Sequence, residues 1–228
     1  MVNVNEYQIL LKVEDWNRLD DELGDNIEKL FFEKTPNKYN LLEINDGKYS
    51  VDHWKNEFNY KLVSIGINYG YLYTYYKSLD GFDIYQVSDS EKLAYHFWFS
   101  YEAESLLTRL VTLIDNLYHL INIKFDLNVE EGLGFRKKIT KKLTEINSSL
   151  ALYLEGIYQD SRYKSVQDIR NDFTHNHSPL NLTSGYKKEG NEAFFSKGDY
   201  LKPSEIVDSI NEFINLLQEL KTECSKYL

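Results

Sequence analysis

The chain has 228 residues, of which 42% are hydrophobic and 27% charged, enough apolar material for a packed core and too much for a disordered chain. Its 26 basic and 36 acidic residues give a formal net charge of −10, which excludes a protein that coats nucleic acid through overall charge, though not one with a local basic patch. Cys224 is the only cysteine, which excludes an intrachain disulfide and a cysteine-based zinc site and points to a reducing compartment.

Residues 1–50 read as an N-terminal helical extension, acidic around Glu14 to Glu33, with Asn45-Asp46-Gly47 marking a weak hairpin candidate over 35–50. From Asp52 onward, Trp54, Phe58, Leu62, Ile65, Tyr69, Leu72 and Tyr76 recur at steps of three or four and predict a helix. Tyr69, Tyr71, Tyr73 and Tyr75 alternate as a strand would, but over a much shorter span than the helical pattern. Gly66 and Gly70 fall one turn apart and are expected to admit a close neighbouring helix.

Ser88, three residues before Glu91, has capping-box spacing and opens a long helix from about Ser90 to Phe125. Phe135, Ile139, Leu143, Ile146, Leu150, Leu154 and Ile157 predict one further helix. A short helix starts near Ser161, with Val166, Ile169 and Phe173 on its apolar side, and stops near Asn176 because Pro179 forbids continuation. Within the segment that follows, Tyr186 to Phe195 reads as a small hairpin turning at Gly190-Asn191. Pro203 then starts a final helix striped by Ile206, Ile210, Phe213, Leu217, Leu220 and Cys224.

The fold expected is therefore all-α: an antiparallel helical bundle over 51–228, with small β-hairpin insertions as candidates. No apolar run approaches the roughly 20 residues of a membrane span. The opening MVNVNEYQIL lacks the regions of a signal peptide, so a cytoplasmic protein without a membrane partner is the expectation.

The segment richest in chemistry is Arg170-Asn171-Asp172-Phe173-Thr174-His175, at the end of the penultimate helix. An arginine, a polar residue, three further residues and a histidine at that place in a helical bundle resemble the HEPN superfamily, over about residues 90–225. Arg170, Asn171 and His175 fill the three specified positions of its motif. The resemblance implies a homodimer with its active site at the dimer interface and metal-independent cleavage of RNA, with no cofactor. In that chemistry a 2′-hydroxyl attacks the adjacent phosphodiester and leaves a 2′,3′-cyclic phosphate. His175 suits proton transfer because imidazole titrates near neutral pH, and Arg170 suits charge stabilisation because its fork of donors matches phosphate oxygens. Asn171 orients His175 or binds the phosphate. The same resemblance implies a role in bacterial defence, stress response or a toxin system, with an antitoxin or regulatory protein as partner. Toxins silenced by nucleotidyltransferase partners carry Tyr two positions after the motif histidine, where this chain has His177.

The spacing has its own physics. Five helical residues advance about 500°, so Arg170 and His175 point about 140° apart in an unbroken helix. They converge if the helix ends between them, or if a second subunit completes the site. Three alternatives stand beside the nuclease. One is a non-catalytic HEPN-type module binding RNA, a nucleotide or a protein. In another, Arg170 is structural, paired with Asp168 or Asp172 or with helix-end carbonyls, and His175 is a cap. In the third, His175, His177 and Asp172 are metal ligands, which their spacing alone supports poorly.

Other features bear on substrate. Arg136, Lys137, Lys138, Lys141 and Lys142 form the densest basic cluster; Lys137, Lys138 and Lys141, with His177, are candidate RNA contacts, a solvated face being the plain alternative. Glu104 and Asp115 share one face of the long helix; either can meet Arg170, or pair internally with Arg109 or a lysine. The tyrosine cluster is expected to pack in the core rather than stack bases.

Overall fold

A computed structural model describes residues 3–23, 27–33, 51–85, 89–175, 178–181, 186–189, 192–195 and 200–228. Among these, the helices are α1 (Val13–Leu23), α2 (Val51–Ser78), α3 (Ser90–Lys124), α4 (Phe135–Ile146), α5 (Ser148–Ile157), α6 (Ser161–His175) and α7 (Pro203–Ser225). Short 3-10 turns occupy Val4–Tyr7 and Glu28–Leu30. Strands β1 (Tyr186–Glu189) and β2 (Glu192–Phe195) pair antiparallel with Tyr186 opposite Phe195 and Glu189 opposite Glu192. That register matches the predicted hairpin, whose turn residues Gly190 and Asn191 lie outside the described residues, as does the candidate hairpin at 35–50.

The two long helices form the centre. Asn68 on α2 donates to Glu102 on α3 at 2.6 Å, and Lys61 on α2 to Asn116 on α3 at 2.6 Å, so residue numbers fall on one helix as they rise on the other: the pair is antiparallel. The tyrosine-rich stretch is helical throughout, with Tyr69 and Tyr75 buried in the core. α3 begins at Asp89, whose carboxylate accepts from the amides of Glu91 at 2.9 Å and Lys92 at 3.4 Å. The predicted capping residue Ser88 lies outside the described residues.

α6 and α7 are also antiparallel, joined by Arg162 to Glu219 at one end and by Ser165 to Ser209 further along. The helix expected from Phe135 to Ile157 is instead two. Asn147 leaves helical geometry (φ −146°, ψ 82°), ends α4 and caps α5 by accepting from the Leu150 amide at 3.1 Å. Continuing the helix would deny α5 that cap, and the break folds α5 back against α4.

The N-terminal segment belongs to the same core. Leu30 and Phe32 are buried in the main apolar cluster. Asn59 on α2 clamps Phe32 twice at 2.8 Å, donating to its carbonyl and accepting from its amide. Tyr75 accepts from the Ile9 amide at 2.9 Å, and the Trp98 indole donates to the Val4 carbonyl at 2.8 Å. Of the two glycines, only Gly70 is at a close approach: a Cβ there would lie 2.4 Å from the Trp16 ring of α1, whereas one at Gly66 meets nothing within 4 Å. No described helix is long and apolar enough to cross a membrane.

Candidate active site

Helix α6 is held along its length, which fixes where the motif points. Tyr163, Val166 and Ile169 are buried on its inner side. At its start, Asp160 accepts from the Arg162 amide at 2.8 Å, and the Arg162 guanidinium bridges Asp160 and Glu219, each at 2.8 Å. The carboxylates of Asp160 and Glu219 are both held below their usual range by these bonds to Arg162. Past the motif, Leu180 is buried and the Pro179 carbonyl accepts from the Leu201 amide at 2.8 Å, tying the exit of α6 to the entrance of α7.

The helix continues unbroken to His175. Termination between Arg170 and His175, one of the two ways in which they could converge, therefore does not occur. Their backbone positions stay about 140° apart around the helix axis. His175 is exposed in the last turn and makes no hydrogen bond or ion pair among the described residues. His177, with Asn176, lies outside the described residues, and the metal alternative that uses it is not described.

Arg170 and Asn171 do come together. Asn171 Oδ1 accepts from Arg170 Nη1 at 3.2 Å and from Gln167 Nε2 at 3.1 Å. Asn171 is thus bonded to the arginine rather than to His175. Gln167 is a partner of Asn171 that sequence reasoning did not single out; its signal is the four-residue spacing to Asn171, which puts both on one helix face.

The decisive feature is what Arg170 lacks. Among the described residues it makes no ion pair: neither Asp168 nor Asp172 is within salt-bridge distance of it, and its Nε is buried with no hydrogen-bond partner. By contrast Arg18 pairs with Asp15 at 3.2 Å, Arg136 with Asp115 at 2.5 Å and Arg162 with two acids. A buried donor without an acceptor costs about 1–3 kcal/mol.

The candidate acids do not meet Arg170. Asp115 belongs to Arg136, whose guanidinium also donates to the Tyr163 hydroxyl at 3.3 Å and the Val111 carbonyl at 3.4 Å. Glu104 is exposed. Glu102, also on α3, is half-buried, bonded to Asn68 and pushed up from its ordinary pKa by burial. The basic cluster divides similarly. Arg136 turns inward, and Lys142 donates to the Leu127 carbonyl at 2.6 Å because it faces the loop before α4. Lys137, Lys138 and Lys141 remain exposed and make no ion pair among the described residues.

The model of the HEPN_Cthe2314-like HEPN family matches residues 54–227, from the first turn of α2 to just beyond α7. Comparison with curated proteins and with solved structures gives no significant match. An all-α bundle carrying Arg170, Asn171 and His175 at the end of α6, matched by that model over more than half its length, belongs to the HEPN family.

Proposed function

We propose that the protein is a metal-independent endoribonuclease that uses Arg170 and His175. The observation that carries this reading is the half-buried Arg170 guanidinium, positioned by Asn171 and, among the described residues, left without an acid. An arginine kept from internal carboxylates is disposed to bind an external anion, and its planar fork suits phosphate oxygens.

In the proposed reaction Arg170 binds the non-bridging oxygens and stabilises the charge that builds at phosphorus. His175 removes the proton from the 2′-hydroxyl, whose oxygen attacks the adjacent phosphorus. The bond to the 5′-oxygen breaks, that oxygen takes up the proton carried by His175, and the products are a 2′,3′-cyclic phosphate and a 5′-hydroxyl. Because the unbroken helix splays Arg170 and His175, we infer that two copies of the chain pair so that each His175 completes the site of the other copy's Arg170. Lys137, Lys138 and Lys141, with His177, provide contacts to the RNA backbone. The inferred setting is bacterial defence, stress response or a toxin system in the cytoplasm, held in check by an antitoxin or regulatory protein.

The test is cleavage of a mixed RNA in EDTA by the wild type and by folded Arg170→Ala and His175→Ala variants, with analysis of the product ends. Cyclic-phosphate ends lost in both variants are the expected result. Cleavage that survives both substitutions would place the activity elsewhere, and absence of cleavage by a folded dimer would favour a binding module.

A further inference from the structure

A cavity of about 930 Å³ opens between the N-terminus of α4 and the C-terminal half of α5, away from the motif residues. Its apolar walls are Leu133, Phe135 and Leu152; Leu133 is 99% exposed and Leu152 70%. Such exposure of large aliphatic side chains around a concavity marks a contact site more often than a solvated face. The lining also includes the Asp115–Arg136 pair, Glu155 and Gln159. Gln159 accepts from Lys164 through Oε1 at 2.9 Å, which leaves its amide N–H groups to donate, while the Glu155 carboxylate accepts. Three glycines complete the lining, and a Cβ at Gly132, Gly134 or Gly156 would meet nothing within 4 Å.

The charged residues of the lining are Asp115, Glu155, Arg136 and Lys137, and Asp115 and Arg136 neutralise one another. Lys137 lines the cavity, and Lys141 follows one turn later on the same face of α4. Neither makes an ion pair among the described residues, in a chain of net charge −10. A cavity whose lining offers apolar side chains, a donor, an acceptor and a lysine matches an unstacked nucleobase flanked by phosphates.

We propose that this cavity is a base-reading subsite, taking one nucleobase of single-stranded RNA while Lys137 and Lys141 hold the neighbouring phosphates. The substrate class rests on the ribonuclease reading; the site and its selectivity do not depend on cleavage.

The experiment uses the full chain with His175→Ala, so that RNA stays intact. Fluorescence anisotropy measures binding of labelled ten-nucleotide oligo(A), oligo(C) and oligo(U). The expected result is one oligomer bound about 10-fold more tightly than another, a preference lost in Gly156→Phe, which fills the slot from a helical position with room for it. Gln159→Ala, an exposed edge substitution, provides a second variant and reduces the same preference. Lys137→Ala with Lys141→Ala weakens all three oligomers alike. Equal binding of the three oligomers overturns the proposal, as does a preference unchanged by both Gly156→Phe and Gln159→Ala. Displacement of RNA by a polyglutamate peptide that Gly156→Phe abolishes would assign the slot to an acidic protein segment and overturn it too. Arg170-dependent cleavage with an unaltered preference would discard the subsite and keep the reaction. Selective binding lost in Gly156→Phe, without cleavage by the wild type, would keep the subsite and discard the reaction.

Discussion

His96 is buried on α3, stacked on Phe82 at 4.8 Å and 3.4 Å from the Tyr200 hydroxyl, and burial lowers its pKa from 6.5 to about 4. The imidazole is therefore neutral in the folded protein at pH values where the unfolded chain already binds a proton. Its contribution to stability is fully present above pH 6.5 and is lost as the pH falls from 6.5 towards about 4. A shift of this size corresponds to about 3 kcal/mol once both states are protonated, and to about 2 kcal/mol at pH 5. For a domain of this length that is about 4–8 °C in Tm. His96→Gln removes the titration while keeping a polar side chain, so its Tm between pH 8 and pH 5 should fall by about that much less than the wild type's. His119, also lowered by burial, is common to both proteins and cancels. Parallel pH dependences in the two proteins, followed by circular dichroism, would refute the assignment of a buried neutral imidazole at His96.

Three further substitutions probe the packing. Gly66→Ala should stabilise by about 0.5–1 kcal/mol, since a helix-interior glycine is replaced where nothing lies within 4 Å, whereas Gly70→Ala should destabilise because Trp16 must move; urea unfolding separates the two signs. Asn147→Ala should cost about 1 kcal/mol through loss of the α5 cap, read from the same denaturation midpoint, and an unchanged midpoint would mean that the cap carries no stability.

The fold was largely legible because long helices repeat their apolar residues often enough to be read. The α4–α5 break was hidden for a specific reason: Leu143 and Leu150 are seven residues apart, two helical turns, so the apolar phase runs through the interruption. Asn147, a residue that favours caps, was the one local sign of it. Gly70 signalled a close approach, but its neighbour Trp16 lies on an element far away in sequence. At the site, Arg170, Asn171 and His175 were legible as a spacing on one helix. The pairing of Asp115 with Arg136 was not, because it joins α3 to α4, and no periodicity encodes which basic residue of a cluster turns inward. The cavity was equally silent, being made by the return of α5 along α4.

The central claim is that Arg170 and His175, splayed on one helix, act together across two copies of the chain. The most direct measurement mixes Arg170→Ala and His175→Ala proteins after subunit exchange and follows RNA cleavage in EDTA. Each variant alone has no intact pair, whereas a mixed dimer has one, so a statistical mixture should regain about a quarter of wild-type activity. A mixture as inactive as either variant alone, with exchange verified and the wild type active, would contradict the account.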